Sequence, residues 1–255
     1  MIDHPSVVRD SYVVRAAEVE PSGRLSGAAL ARLLSETAGN GAVKLGFAIE
    51  DLMQQGLTWV LARLRVSIDA WPTWKETLAI ETWPSSGSGL VATRDFLLED
   101  GAGRRIGEAT SLWMVLDVAT RRPVRLPASV RATEKPDRPR ALDGALDPLG
   151  RPRDGAEAGE FAVRYDDIDV NRHANNACYV GWALDCIPPD LRASRELAEF
   201  GVDFRAEAHL GDRLRGELEL REDEDGAETI GLHRLVRAED GVELALARTR
   251  WRRPR

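Results

Sequence analysis

Asp169, Asn171 and His173 stand at alternate positions in the run Asp169-Val-Asn-Arg-His-Ala-Asn-Asn176, and an acid, an amide and an imidazole are parts from which a hydrolytic site can be built. An imidazole exchanges protons near neutral pH, a carboxylate activates water or fixes the imidazole, and an amide holds a water molecule in place. With a two-residue side-chain period, the three would project from one side of an extended backbone. Tyr179, Trp182, Ala183 and Cys186 then recur at helical spacing, which predicts an amphipathic helix starting near Asn175 or Asn176. The N–H groups of Asn175, Asn176 and Ala177 would lie at that helix N-terminus, where unpaired donors and the dipole favour an oxyanion. The competing reading is a polar loop whose Asn residues do no more than cap a helix.

An earlier segment repeats the pattern without the chemistry. Tyr12-Val-Val-Arg15-Ala-Ala-Glu18-Val-Glu20 aligns with Phe161-Ala-Val-Arg164-Tyr-Asp-Asp167-Ile-Asp169, and continuing without a gap Ser22 falls on Asn171 and Arg24 on His173. An apolar helical pattern follows (Leu30, Leu33, Leu34, Ala38, Leu45), and the ends also correspond, Ala109–Trp113 with Ala247–Trp251. The repeat is far longer than a solenoid period and reads as a duplicated module, of which only the second copy keeps the Asp/Asn/His set.

Strands complete each half. Val60, Ala62, Leu64, Val66 and Ile68 alternate with polar residues, followed by Glu76 to Trp83, Val91 to Glu99 and Ile106 to Val118. The breaks are Pro84-Ser-Ser-Gly87 and the hairpin signal Glu99-Asp-Gly-Ala-Gly103. The second half offers Val202 to Ala206, Leu214 to Leu220, Ile230 to Val236 and Val242 to Trp251, with a turn at Glu239-Asp-Gly241. The fold class is therefore α+β, two tandem modules, each a curled antiparallel sheet wrapped around a long helix.

A Pro-, Arg- and Gly-rich stretch divides the chain into 1–128, a linker 129–159, and 160–255. Basic residues gather around its start (Arg121, Arg122, Arg125, Arg131, Lys135, Arg138, Arg140) and at the C-terminus (Arg250, Arg252, Arg253, Arg255). The whole chain carries a net charge of −7, which argues against general nucleic-acid binding; a local basic patch fits an acidic partner or a solvated linker equally well. With 43% hydrophobic and 30% charged residues the chain can build a core. It has no run long and apolar enough for a membrane span and no secretory leader pattern, so a cytoplasmic location is the expectation. Cys178 and Cys186 lie too far apart along one helix to bridge, and neither they nor His4, His173, His209 and His233 have metal-ligand spacing; no metal or cofactor is expected. The tryptophans at 59, 71, 74, 83, 113, 182 and 251 read as packing residues.

These blocks together make the chain similar to the plant-type and bacterial fatty acyl-acyl carrier protein thioesterases, which are tandem hotdog proteins. The resemblance runs through Leu57–Arg63, Ile80–Ser86, Arg94–Leu97, Ala109–Trp113 and Thr120–Arg122, and is most specific over Asp167–Pro188. It implies that the second hotdog is catalytic and that the first shapes an acyl pocket. Asp169, Asn171 and His173 match the family's site motif, and Glu207, expected on a strand in Phe204-Arg-Ala-Glu-Ala208, matches a further acid. Plant members often carry a cysteine beside that acid, where this chain has Ala208, so the nucleophile would be water or Glu207 itself. The implied activity is hydrolysis of acyl-acyl carrier protein, with the carrier as partner. As a separate hypothesis the basic residues Arg121, Arg122 and Arg125 would dock that acidic carrier, and because the tandem already supplies two hotdogs a monomer or a homodimer would both work. Glu207 would activate a water held by Asn171, His173 would polarise the thioester and exchange protons with the leaving thiol, and Asp169 would fix the imidazole. Glu207 and His173 could trade the role of base. The rival functions are hydrolysis of acyl-coenzyme A by the same fold, and acyl binding without catalysis.

Overall fold

Alternating apolar and polar side chains set most of the strands. The computed structural model describes residues 4–142, 147–223 and 225–254. The chain divides into two units, residues 1–25 with 33–146, and residues 26–32 with 147–255. In the N-terminal half, strand β1 (Val8–Val13) leads to helix α1 (Gly27–Lys44) and the short helix α2 (Ile49–Met53). An antiparallel meander follows: β2 (Leu57–Ile68), β3 (Thr77–Ser88), β4 (Val91–Asp100) and β5 (Arg105–Asp117). The two-residue β6 (Pro123–Val124) pairs with β5, and helix α3 (Ala128–Ala132) comes next. The strand order is β1-β3-β4-β5-β2.

Two strand readings need correction. β3 does not stop at Trp83 but runs through Pro84-Ser-Ser-Gly87, because a bulge between Pro84 and Ser86 accommodates a residue that has no N–H to give the ladder. In β2 an irregularity beside Ala62 changes the facing, so Leu61 is buried with Leu64, Val66 and Ile68, while Val60 and Ala62 are only half-buried. The hairpin at 99–103 forms as read: Asp100 N–H donates to the Arg104 carbonyl, and Gly103 takes the left-handed conformation (φ 76°) that the turn demands. Phe47, Leu52, Val115, Leu126 and Val130 form a core cluster with Trp59 against it, its Nε1–H donating to the Phe47 carbonyl at 2.9 Å. Trp74 departs from the packing expectation, being 53% exposed with Lys75 over its ring.

Part of the basic stretch is not solvated linker. Arg138 pairs with Glu81 and lies over the Trp83 ring, while Arg140 Nε and the Ala141 N–H both bond Asp95 Oδ2 at 3.1 Å. Asp95 is fully buried and also accepts from the Thr110 hydroxyl, so this segment is tied to the β3–β4–β5 sheet by a carboxylate whose burial only such partners make tolerable.

In the C-terminal half, β7 (Ala156–Ala162) begins inside the span expected to be linker. Helix α4 (Asn176–Asp185), helix α5 (Pro189–Ser194) and strands β8 (Glu196–Phe204), β9 (Arg213–Glu222), β10 (Glu228–Arg237) and β11 (Glu243–Arg252) follow. Their order, β7-β9-β10-β11-β8, is the counterpart of β1-β3-β4-β5-β2. The duplication extends to fine detail at one constant offset. A one-turn 3-10 helix at Ala16–Glu18 answers one at Tyr165–Asp167, the bridge Val19–Leu25 answers Ile168–Ala174, and α1 starts at Gly27 where α4 starts at Asn176. Each half is thus α+β.

Helix α4 packs against β8, β10 and β11 and buries Ala177, Cys178, Tyr179, Val180, Trp182, Ala183 and Leu184. A helix apolar on nearly all sides is a core helix. Each large side chain so placed contributes roughly 1.5–3 kcal/mol relative to exposure. Gly216 lets it sit close to the sheet, since a Cβ there would overlap the Cys186 sulfur. No described helix is long and apolar enough to cross a membrane.

Candidate active site

Asp169 to His173 are not an extended strand. They form a tight turn in which Arg172 N–H donates to the Asp169 carbonyl (3.0 Å) and Asp169 N–H donates to the His173 carbonyl (3.0 Å), with Ile168 and Ala174 bridged at its base. Alternation of polar side chains mimics a strand signal, but here it reflects an Asx turn: the Asn171 N–H donates to Asp169 Oδ1 at 2.8 Å. Arg172 occupies the left-handed region (φ 67°), where the equivalent turn of the first copy has Gly23 (φ 79°). A side chain in that region is mildly strained, and strain of this kind is retained where surrounding bonds hold it.

The turn delivers His173 to Glu207. His173 Nδ1 lies 3.2 Å from the Ala174 carbonyl, which sets it as the N–H-bearing nitrogen in the neutral ring, and Asp169 Oδ1 lies 4.0 Å from the same nitrogen. The other nitrogen, Nε2, therefore presents a lone pair, and it stands 3.8 Å from Glu207 Oε1. That separation is too long for a direct hydrogen bond and suits one water molecule donating a proton to each. Both side chains are partly exposed, His173 at 22% and Glu207 at 32%.

Glu207 sits in the segment just after β8 rather than on a strand, and its backbone is held on every side. The Ala206 carbonyl accepts from Tyr179 Oη, the Glu207 carbonyl accepts from Arg237 Nη2, the Ala208 N–H donates to Tyr179 Oη, and the Ala208 carbonyl accepts from the Ala174 N–H. Tyr179 was legible only as an apolar helix position, and Arg237 carried no sequence signal.

Two other placements change the reading. Asn171 is exposed, and its backbone N–H is committed to Asp169 Oδ1. At the helix terminus Asn175 is the N-cap, its Oδ1 accepting the Ala177 N–H at 2.9 Å while its own N–H donates to the Asp167 carbonyl. The backbone N–H groups of Asn175 and Ala177 are therefore committed, and of the three expected backbone donors only the Asn176 N–H is uncommitted among the described residues. Cys178 and Cys186 are buried thiols whose desolvation pushes them up to about 11 and about 12, so neither is a thiolate at neutral pH. His209 is exposed on the surface. Of the C-terminal basic cluster, Arg250 pairs with Glu199 and Glu228 and Arg252 approaches Glu196, while Arg255 lies outside the described residues.

Comparison with known proteins places this arrangement. The model of the acyl-ACP thioesterase N-terminal domain matches residues 5–133, and that of the acyl-ACP thioesterase C-terminal domain matches residues 150–253. The chain belongs to the acyl-ACP thioesterase family. The C-terminal domain of this acyl-ACP thioesterase family member contains the turn, α4 and the Glu207 segment together. A chloroplastic acyl-[acyl-carrier-protein] hydrolase of Cuphea viscosissima is 30% identical over 96% of this chain. The chain spans 62% of that relative's length. Two solved structures are similar throughout. The 12:0-ACP thioesterase of Umbellularia californica has 27% identity and a TM-score of 0.86, over 98% of this chain and 95% of that one. An acyl-ACP thioesterase of Bacteroides thetaiotaomicron has 25% identity and a TM-score of 0.85, over 96% and 98%.

Proposed function

We propose that this protein hydrolyses the thioester of acyl-acyl carrier protein, releasing free fatty acid, by attack of a water molecule shared between His173 and Glu207. The observation that carries the reading is the 3.8 Å gap between His173 Nε2 and Glu207 Oε1. A water donating to both nitrogen and carboxylate keeps a lone pair free for the thioester carbonyl, and either acceptor can take its proton during attack. The proton then passes to the departing thiolate, and His173, steadied by the Ala174 carbonyl with Asp169 close by, is suited to that transfer. The Asn176 N–H, at the start of a helix buried among sheet strands, is the proposed donor to the oxyanion. Asn171, exposed on the same turn, keeps an amide available to the approaching thioester. Membership of the acyl-ACP thioesterase family supports the reaction and the carrier as partner.

Arg121, Arg122 and Arg125 are exposed around the β5–β6 turn, which fits them to dock an acidic carrier in the cytoplasm. Arg138 and Arg140 are engaged in the sheet contacts described and are not assigned to docking. The test is thiol release from matched acyl-carrier and acyl-coenzyme A substrates. The carrier thioester should be preferred, and neutralising Arg121, Arg122 and Arg125 together should raise its KM and flatten its dependence on salt. Equal rates on both substrates, with an unchanged KM in the triple variant, would reject the carrier as the recognised partner.

A further inference from the structure

We infer that Tyr179 and Arg237 are positioning residues that hold the Glu207 carboxylate in register with His173 by clamping the main chain around it. The inference rests on the role proposed above for Glu207. Tyr179, on α4, is 2% exposed, and its ring is packed against Trp182 (5.2 Å between centroids) and edge-on to Phe204 (5.6 Å). That packing fixes where its hydroxyl lies. The hydroxyl donates to the Ala206 carbonyl at 3.1 Å and accepts from the Ala208 N–H at 2.8 Å, so one oxygen joins the residues on either side of Glu207. Only a neutral phenol can donate and accept at once, and burial holds this one protonated far above the ordinary tyrosine range.

Arg237, at the end of β10, closes the third side. Its Nη2 donates to the Glu207 carbonyl at 2.7 Å, while Nε bonds Asp212 Oδ2 at 3.1 Å and Nη1 bonds Asp240 Oδ2 at 2.9 Å. Two acids thus fix the guanidinium that fixes the peptide. The Ala174 N–H reaches the Ala208 carbonyl at 2.8 Å, so the clamped segment is joined directly to the residue after His173. Glu207 lies outside any strand, and without these bonds its backbone would lack the ladder that normally sets a side chain's direction. Neither residue touches the reacting atoms; each acts through Glu207.

The test is a double-mutant cycle on acyl-carrier hydrolysis with Tyr179→Phe and Glu207→Gln, run at enzyme concentrations high enough to read the residual rate. Tyr179→Phe should lower kcat about tenfold, leave KM near its original value, and cause no further loss in the Glu207→Gln background. Arg237→Met, tested the same way, should behave alike, and Arg237→Lys should recover part of the loss. A drop of equal size in both backgrounds, or an unchanged kcat in Tyr179→Phe and Arg237→Met, would overturn the inference. A Glu207→Gln enzyme as fast as the original would instead remove the catalytic reading on which it rests.

Discussion

At the scale of single residues, the question is how two groups that both accept hydrogen bonds come to face each other without contact. In the neutral ring with its proton on Nδ1, toward the Ala174 carbonyl, Nε2 presents a lone pair 3.8 Å from Glu207 Oε1. The proposed water would satisfy both, in the orientation that also exposes its nucleophilic lone pair. His173→Ala and Glu207→Gln should each reduce kcat by about a hundredfold or more, as expected for loss of general acid–base assistance. Steady-state thiol release checks this, and near-original turnover in either variant would remove that residue from the mechanism. His173 and Glu207 could be read as candidates because their types carry chemistry. Asn171 could be read only as a type: that the turn directs its side chain to solvent depends on the Asp169–Asn171 Asx bond and on the left-handed Arg172, which no spacing of residues announces.

At the scale of elements, local chemistry was readable wherever a residue had a strong preference. Asn175 is an N-cap by type and proves to be one, and Gly103 and Gly241 (φ 71°) mark their hairpins because the turns need a left-handed residue. Elements without such signals were misplaced. β7 is an edge strand whose first residues, Ala-Glu-Ala-Gly, are poor strand formers paired by backbone bonds to β9 alone, so they read as linker. The Glu207 segment looked like strand because nothing in Arg205-Ala206 breaks one. His233, on β10, had no legible role and turns out fully buried, its Nε2 3.0 Å from Thr249 Oγ1. Burial pushes it down to about 3, below its ordinary 6.5. The folded state thus binds fewer protons than the unfolded chain between those values, so its contribution to stability is complete above about pH 6.5 and is lost as pH falls toward 3, at about 1.4 kcal/mol per pH unit. Denaturant melts from pH 4 to 7 should show this slope, and His233→Gln should flatten it by as much as one proton's worth. An identical slope in both proteins would contradict the assignment.

At the scale of the whole chain, the duplication is the most legible feature and also the most informative. Both copies build the same turn, with Glu20 N–H to the Arg24 carbonyl in the first and Asp169 N–H to the His173 carbonyl in the second. The scaffold is therefore common to both copies, and side chains distinguish the halves: Ser22 and Arg24 in one, Asn171 and His173 in the other. The matches to the N- and C-terminal thioesterase domains fall on those two halves. What sequence could not convey was the support around Glu207, since hydroxyl and guanidinium contacts to peptide groups arise only when distant strands and α4 are packed together. The central claim, that water rather than a side chain attacks the thioester, is tested most directly by a single turnover of excess enzyme on acyl-carrier substrate in ¹⁸O-labelled water. The label should enter the released fatty acid and leave the Glu207-containing peptide unlabelled, and an acid quench within the turnover should trap no acyl group on the protein. Label in the Glu207 carboxylate, or an acyl group trapped on Glu207, would show an acyl-enzyme anhydride and contradict the account.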